Sequence, residues 1–409
     1  MNLTVLCPHF DPDPAPTGEV MTRIVAELAA RGHELHVVTA LPWYTHHAVQ
    51  AGWTGRPVRR ERTGWGSITR VHPFPSDKTS LALRSASFAA FSALSGVAAL
   101  GGGRMDAVLA MSPPLPIGPV AWAAAVFHRC PLVFNVQDVF PDVAIELGKL
   151  SNPRLIAGAR WLERTTYERA AAVTVLSEDV RANVAAKVRP SHRDSVRVIP
   201  NFVDTELIRP TDRRTELRRQ VGIDEDQLVI LYAGNVGFSQ SLDLVAAAAR
   251  RLAHRADLVF LVNGGGSGLP ALKEATSGLS NVRFSPYQPK ARLGEVLATG
   301  DLHVVPLRKG LAASSVPSKT YSILAAGRPL LASIDAGTEV ARVVDEAGCG
   351  RSVPPDDADA FTLAVEELVA DQSALAAMGA RGRAWVERWI SPAAVALAYE
   401  KLFEEVGRR

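Results

Sequence analysis

Short apolar runs alternate with helical patterns along most of the chain, and this alternation restricts the possible folds more than any other feature. In the first half the runs include LTVLCP, ELHVVTA and PLVFNVQ; in the second half they include LVILYAG, LVFLVNGGG and PLLAS. Runs that are apolar on both faces and separated by helices are typical of parallel strands buried between helical layers. The sequence therefore predicts an α/β protein in which each half forms a doubly wound parallel sheet.

The length of 409 residues exceeds one ordinary hydrophobic core and favours two or three domains. The join is expected within RVIPNFVDTELIRP, residues 197–210, where a strand runs into a proline-bounded connection. We therefore predict one domain over residues 1–200 and a second over residues 201–390. Residues 391–409 read as an amphipathic helix that either packs on its own domain or returns to the first.

The cysteines and the first residues indicate the compartment. Cys7, Cys130 and Cys349 are far apart and lack metal-ligand spacing, which favours a reducing compartment and argues against disulfides or zinc. The start MNLTVLCPHF has no basic region and no long apolar run, so it reads as a first strand rather than a signal peptide. We expect a cytoplasmic protein.

Glycine-rich or polar loops follow many of the predicted strands. In doubly wound sheets ligands bind beyond the carboxyl ends of the strands, so the loops of two such domains would face each other across a cleft. The loops in question are residues 8–18, 137–142, 234–240, 263–268, 287–290 and 308–319.

Two candidates lie in the first half. Gly18 is expected just before a helix, where the missing side chain would let a ligand approach the backbone, although a plain turn glycine is the alternative. Asp138 would project from a strand end and either accept hydrogen bonds from a sugar hydroxyl or orient an acceptor. Asp11 and Asp13 have metal-like spacing, but the prolines around them favour a turn. The histidines, including His9, show no spacing that predicts a role.

The second half carries two glycine-rich strand ends. Gly234 and Gly237 predict a tight strand-to-helix turn, in which Asn235 and Gln240 offer neutral polar groups to a phosphate. A second such loop contains Gly264 and Gly265. No Gly-Lys-Ser/Thr follows, so this is not a P-loop, and the first strand lacks the glycine pattern of nicotinamide-binding proteins.

The stretch SSVPSKTYSILAAGRPLLAS, residues 314–333, predicts a loop, a short helix and a buried strand. Lys319 stands in the first turn of that helix, beside Ser318 and Thr320. A helix N-terminus favours anions, so hydroxyls and a lysine there indicate a ligand that carries phosphate.

With these segments in order, the chain resembles the family-4 retaining glycosyltransferases of the GT-B fold. Within that family it is similar to the subgroup that builds bacterial surface polysaccharides such as colanic acid and O-antigen. The resemblance covers almost the whole chain, and the segments that carry it include PTGEVMTRIVAELAARGHELHVVT, FNVQDVFPDVAIELG, YAGNVGFSQSLDLVAAAA and VPSKTYSILAAGRPLLAS.

The resemblance implies two Rossmann-like domains facing across a cleft and a final helix that returns to the first domain. It implies a UDP- or GDP-sugar donor bound mainly by the second domain, a lipid-linked or other saccharide acceptor bound mainly by the first, and no metal or cofactor. Transfer would retain the anomeric configuration by front-side attack, in which the leaving phosphate helps to deprotonate the acceptor and the protein stabilises the diphosphate.

The resemblance also assigns residues. Lys319 would hold the diphosphate, with Arg308 or Lys309 as a second cation, and Asp138 would lie near the reacting sugar. Lys319 and Asp138 are thus the expected catalytic residues. Many members have glutamates where this chain has Ser314 and Ser322; Ser322 would hold the ribose instead. The remaining donor-binding residues implied are Gly18, Asn235, Gly237, Gln240, Gly264, Gly265, Ser318 and Tyr321. Tyr287 and Gln288 complete the set as expected contacts of the nucleotide base.

A basic block precedes an uncharged helix in the first half. Between Thr54 and Arg84 there are seven basic and two acidic side chains, whereas the whole chain has a net charge of only +3. The following helix would place Phe88, Phe91 and Leu94 on one face. We predict that residues 56–100 lie on the anionic inner face of the membrane, with no nucleic-acid partner. A buried helix behind a solvated loop is the alternative.

Two other functions remain open at this point. The missing glutamates are compatible with a transferase-fold scaffolding subunit that supports a partner at the membrane. A nucleotide-sugar 2-epimerase would share the two-domain architecture, although the chain lacks the histidines and acidic residues expected in its cleft.

Overall fold

The computed structural model describes residues 1–44, 48–75, 81–101, 103–146, 150–237, 239–310 and 319–408, with only the backbone for residues 81–85. The chain divides into two compact units, Met1–Phe202 together with Pro392–Arg409, and Val203–Ser391. The boundary between them lies two residues beyond the division after residue 200 that the sequence suggested.

The described part of the first unit is built on an eight-stranded sheet. Its strands are β1 (Asn2–Leu6), β2 (Glu34–Ala40), β3 (Val58–Thr63), β4 (Gly66–Val71), β5 (Ala107–Ser112), β6 (Leu132–Val136), β7 (Ala172–Val175) and β8 (Val196–Val198). They lie in the order β3-β4-β2-β1-β5-β6-β7-β8. Among these described strands only the β3–β4 pair is antiparallel; the neighbours of β1, which are β2 and β5, run parallel to it.

Helices cover both faces of this sheet. They are α1 (Pro16–Ala30), α2 (Leu81–Leu100), α3 (Ile117–His128), α4 (Asp142–Glu146), α5 (Pro153–Arg169) and α6 (Glu178–Lys187), with a 3-10 turn at Pro190–Ser195. Strand β1 shows the two-sided burial, because Leu6 belongs to the core under α2 and α3 whereas Leu3 and Val5 belong to the core under α1.

The basic block and the helix after it differ from the prediction in their structure and burial. Residues 58–71 form the β3–β4 hairpin rather than a loop, and the charged strand β3 is the outer edge of the sheet. The apolar face of α2 lies inside the protein: Phe91 is 3% exposed, and Leu94 packs against the same core. The prediction that this face contacts a membrane is therefore wrong, because α2 uses it to cover the sheet.

The second unit has a six-stranded parallel sheet in the part of the chain described. Its strands are β9 (Leu228–Asn235), β10 (Leu258–Gly265), β11 (Val282–Ser285), β12 (Leu302–Pro306), β13 (Leu330–Ser333) and β14 (Gly350–Val353). Their order is β11-β10-β9-β12-β13-β14. The chain therefore winds outward from β9 in both directions, and the switch point of the sheet lies between β9 and β12.

The helices of this unit alternate with its strands. They are α7 (Glu216–Gln220), α8 (Asp243–Arg251), α9 (Leu269–Ala275), α10 (Leu293–Thr299), α11 (Lys319–Ala325), α12 (Glu339–Ala347), α13 (Ala358–Val369) and α14 (Gln372–Trp389), with a 3-10 turn at Lys290–Arg292. Helix α11 begins at Lys319 and is followed by Gly327 at a φ of 67° and by β13, in the helix–strand order expected from the sequence. The α/β class and the doubly wound sheets are confirmed.

The C-terminal helix α15 (Pro392–Gly407) belongs to the first unit. It packs along α1, and Glu400 binds both Arg31 and His33. Under the helix, the amide of Asn135 donates to the Tyr399 hydroxyl at 2.9 Å. The sequence left two placements of this helix open, and the structure has the one in which it returns to the first unit.

Candidate functional site

Two glycine strand ends meet at the carboxyl edge of the second sheet. Gly234 on β9 is the register partner of Gly264 on β10, and both have a φ of 143°. A Cβ on Gly264 would lie 2.0 Å from the Gly234 carbonyl oxygen. Beyond them, the Val236 N–H donates to the Gly265 carbonyl at 2.8 Å. Side chains are thus excluded where the two loops join. Gly264 itself is buried, and the backbone of this loop becomes accessible to a ligand at Gly265 and Gly266.

Lys319 lies on the other side of β9, at the switch point. Its Nζ stands 4.1 Å from the centre of the Tyr232 ring on β9 and 3.2 Å from where a Cβ of Gly234 would be. Burial lowers the pKa of Lys319 from 10.5 to about 8, because the ammonium loses water without gaining a carboxylate. Within the described residues no acidic group pairs with it. A desolvated cation with no counter-ion is suited to bind an anion.

Neutral amides lie in the turn that follows Gly234. A Cβ on Gly237 would lie 2.7 Å from Asn235 Nδ2 and 3.5 Å from Gln240 Oε1, so Gly237 lets the two side chains approach. The Gln240 Oε1 is buried and has no hydrogen-bond partner within the described part of the chain. The Tyr232 hydroxyl donates to the Asn235 carbonyl and fixes this turn.

The proposed base contacts differ in how accessible they are. Tyr287 is 58% exposed, and its hydroxyl donates to the Gly265 carbonyl at 3.2 Å. Its ring therefore stands at the rim of the glycine loops and is more than half exposed. The amide of Gln288 already donates to Ser285 and accepts from Arg292, so it has less capacity left for a ligand.

Arg308 is present at the end of β12, but its charge is balanced. The guanidinium lies 3.4 Å from an Asp243 oxygen and 3.8 Å from an Asp356 oxygen. Because two carboxylates offset the charge of Arg308, Lys319 is the stronger source of positive potential at this edge of the sheet.

The remaining residues assigned on α11 and before it fall in three groups. Tyr321 stacks on Trp385, with ring centres 6.4 Å apart. Burial and the hydrogen bond to Glu339 raise the pKa of the Tyr321 hydroxyl. These contacts are those of a packing residue. Ser322 is half-buried one turn after Lys319. Ser314 and Ser318 lie outside the described residues.

The first unit changes the interpretation of Gly18. Helix α1 begins at Pro16, so Gly18 lies in its first turn and not before it, which corrects the sequence prediction. A Cβ on Gly18 would be 2.8 Å from His9 Cβ and 3.2 Å from the Phe10 nitrogen. The missing side chain therefore accommodates the loop after β1, and that loop occupies the space predicted for a ligand.

Asp138 follows β6, as expected, and is exposed. Partial desolvation raises the pKa of its carboxyl. The residue before it, Gln137, is fixed because its amide donates to Asn135 at 2.7 Å and exchanges hydrogen bonds with Asn201. The backbone that carries Asp138 is thereby held in place from two sides.

One hydrogen-bonded pair of side chains was not predicted from the sequence. His9 and Asp13 are bonded to each other, with 2.6 Å between His9 Nδ1 and Asp13 Oδ2. Their spacing of four in a proline-rich loop carries no sequence signal, since it predicts only a turn.

Among the described residues no group of three or more histidine, cysteine or acidic side chains could hold a metal ion, and no described helix is long and apolar enough to cross a membrane.

Comparison with known proteins places this geometry in a family. Residues 17–201 match the glycosyl transferase 4-like domain, and residues 227–371 match the glycosyl transferases group 1. The putative colanic acid biosynthesis glycosyl transferase WcaI of Escherichia coli is 27% identical over 380 residues, which cover 90% of this chain and 92% of WcaI. The probable glycosyltransferase WbjE of Pseudomonas aeruginosa is 27% identical over 58% of this chain and 59% of its own.

Solved structures agree on the fold. Sucrose-phosphate synthase from Thermosynechococcus elongatus superposes with a TM-score of 0.68 at 18% identity, covering 99% of both chains. HepE from Anabaena, in a complex with UDP and glucose, gives a TM-score of 0.62 at 14% identity over 99% of this chain and 100% of HepE. With a family model matched in each unit, the chain belongs to the family-4 glycosyltransferases of the GT-B fold.

Proposed function

We propose that the protein transfers a sugar from a UDP- or GDP-sugar to a saccharide acceptor, lipid-linked, in the synthesis of a surface polysaccharide or glycolipid. The observation that carries this proposal is the desolvated Lys319, unpaired among the described residues, at the switch point of the second sheet and beside two glycine strand ends. Family membership and the similarity to WcaI over most of both chains support the reaction class. The relatives do not favour the scaffolding or the 2-epimerase alternative.

The arrangement suits the chemistry of a diphosphate leaving group. As the bond from the sugar to the diphosphate breaks, negative charge grows on the phosphate oxygens, and a positioned ammonium lowers that barrier. Lys319 would supply the charge, and Asn235 with the exposed backbone at Gly266 would supply neutral donors. We propose retention by front-side attack and charge neutralisation by these groups without a divalent cation.

Two observations support a nucleoside-diphosphate sugar as the donor. The HepE structure contains UDP together with glucose, and its fold matches this chain throughout. In the present protein, the Tyr287 ring is 58% exposed and lies next to Gly265 at the rim of the loops. An aromatic face in that position can stack on a nucleobase while the diphosphate extends toward Lys319.

A thermal-shift panel tests the proposed function. UDP, GDP, ADP, dTDP and NAD are each added at saturating concentration, with and without EDTA. We expect one nucleoside diphosphate to raise the melting temperature, since a ligand at one hundred times its Kd adds about 2.7 kcal/mol to the free energy of unfolding. The shift should survive EDTA. A panel with no shift would overturn the proposal, and a shift abolished by EDTA would overturn the metal-free part of it.

The affinity for that nucleotide should depend on pH through Lys319. Only the ammonium form attracts phosphate, and its pKa in the free protein is about 8. We therefore expect a constant Kd between about pH 7 and 7.5 and a loss of affinity approaching tenfold per unit well above the pKa. Calorimetric titration up to about pH 9.5 measures this. In Lys319→Arg, whose cation does not titrate in this range, any remaining binding should be independent of pH.

We further propose that the first unit contacts the anionic inner face of the membrane within residues 56–100, through exposed side chains and not through the buried face of α2 that contains Phe91. The exposed side chains that support this contact are Arg60 and Arg62 on the β3 edge and Val97 and Leu100 on α2. The test is co-sedimentation with phosphatidylcholine vesicles that contain phosphatidylglycerol. Binding should disappear without phosphatidylglycerol and in the double variant Arg60→Glu/Arg62→Glu; binding that persists in either case would contradict the proposal.

A further inference from the structure

The loop after β1, residues 7–15, lies at the switch point of the first sheet, because the neighbours of β1 are β2 and β5. Within this loop, His9 Nδ1 lies 2.6 Å from Asp13 Oδ2, and the Asp13 side chain is 0% exposed. The second Asp13 oxygen accepts the backbone N–H of Tyr44, at 3.0 Å. One buried carboxylate therefore joins the loops that follow β1 and β2.

The position of Asp13 determines which ring nitrogen of His9 carries the proton. An ionised carboxylate can only accept hydrogen bonds, so Nδ1 must be the donor and the neutral ring keeps a lone pair on Nε2. No hydrogen bond to Nε2 is found within the described residues. The His9 side chain is 12% exposed, so the ring is mostly covered and only a small part of it can meet a ligand.

Aromatic rings surround His9. Trp43 stacks on it with ring centres 5.6 Å apart and an angle of 22°, and Tyr44 meets its edge at 5.4 Å and 81°. Tyr44 itself is 40% exposed. A hydrogen-bond acceptor next to an accessible aromatic ring suits a saccharide, whose C–H faces pack on aromatic rings while its hydroxyls donate.

The loop that carries His9 is held before any ligand arrives. Gly18 leaves room for His9 against the first turn of α1. The buried Arg70 donates to the Asp11 carbonyl at 2.6 Å, and the Asp11 N–H donates to Thr22 Oγ1 at 2.9 Å. Because the loop is already ordered in the free protein, binding a ligand costs little conformational entropy.

We propose that His9, oriented by Asp13, accepts a hydrogen bond from a hydroxyl of the saccharide acceptor, with Tyr44 against the sugar ring. This inference rests on the proposed function, since a glycosyltransferase must hold the hydroxyl that it glycosylates. His9 is then an acceptor-binding residue and Asp13 a positioning residue. Gly18 contributes to the acceptor side by seating His9.

Asp13→Asn tests the role of the carboxylate with little change in volume. The introduced amide can still accept from Tyr44 through its oxygen, but its NH2 group would donate to His9 Nδ1, which moves the ring proton to Nε2. The shape of the site is kept, while Nε2 of His9 changes from a hydrogen-bond acceptor to a donor. We expect transfer to saccharide acceptors to fall at least about tenfold, with an unchanged thermal shift by the nucleotide. His254→Ala, an exposed histidine of the second unit, is the matched control.

Histidine-selective 15N NMR of the full chain gives a readout that needs no turnover. The probes are the methyl α-glycosides of glucose, galactose, mannose and fucose, and His9→Gln identifies the His9 signals. We expect Nε2 of His9 to be unprotonated in the wild type, to be perturbed by at least one glycoside, and to be protonated and unresponsive in Asp13→Asn.

The outcomes separate this inference from the proposed function. A protonated Nε2 in the wild type, or an unprotonated one that no glycoside perturbs, would overturn the His9 site even where the nucleotide shift is present. If a glycoside perturbs His9 but no nucleotide shifts the melting temperature, the saccharide site stands and the donor assignment fails. Because the wild-type spectrum decides the first point once His9→Gln has identified the His9 signals, that point does not depend on the folding of Asp13→Asn.

Discussion

Lys319→Ala is expected to remove the nucleotide-induced thermal shift and to lower kcat/KM by about 100- to 1,000-fold, the usual effect of losing one preorganised group that stabilises developing negative charge. The reason is the position of its Nζ, between the Tyr232 ring and Gly234 and without a carboxylate partner among the described residues. The free protein should not be destabilised, because the substitution also removes the cost of a desolvated ammonium.

The control must separate this site from lysine contacts in general. Lys273 also lies over an aromatic ring of the second unit, with its Nζ 5.5 Å from the centre of Phe284, but it is exposed at the end of α9. Lys273→Ala should keep both the nucleotide shift and turnover. An active Lys319→Ala variant with unchanged nucleotide affinity would contradict the assignment of Lys319 to the diphosphate. Equal losses in both variants would indicate a general electrostatic effect of the unit.

The sequence was most informative where local patterns decide the structure. Apolar runs predicted most of the strands, but not the charged hairpin β3–β4. Lys319 could be placed at the start of a short helix because the helix and strand signals flank it. The partners of that lysine could not be predicted, since Tyr232 lies 87 residues earlier and meets it only through the pairing order of the sheet. The two carboxylates around Arg308 lie 65 residues before it and 48 residues after it, and they reduce the charge that the sequence assigned to it.

The errors have a common physical origin. A glycine near a helix start fits close ligand approach and close packing equally well, and at Gly18 the neighbour is His9. An apolar helical face fits a membrane and a core equally well, and Phe91 is in the core. In each case one pattern is compatible with two partners, and only the tertiary fold determines which partner is present. The bond between His9 and Asp13 is a similar case, because it depends on the path of a loop.

Gly264→Ala is expected to have the largest effect on stability, more than about 4 kcal/mol in the free energy of unfolding. The added Cβ would lie 2.0 Å from the Gly234 carbonyl oxygen, which is backbone and belongs to the strand paired with it. Relief requires β9 and β10 to separate, and that would break the bond from Val236 N–H to the Gly265 carbonyl. The φ of 143° is a further cost for alanine.

Gly278→Ala separates these two contributions. Gly278 has a φ of 79° but nothing within 4 Å of its added Cβ, so its substitution measures backbone strain alone, about 1 kcal/mol. Urea unfolding, followed by fluorescence and by circular dichroism, compares the two variants. Similar losses would mean that the strands can separate at little cost, and the close joining of the two glycine loops would then not define the site. A much larger loss in Gly264→Ala, together with a missing nucleotide shift in whatever fraction stays folded, would show that one constraint holds the sheet and shapes the phosphate-binding edge.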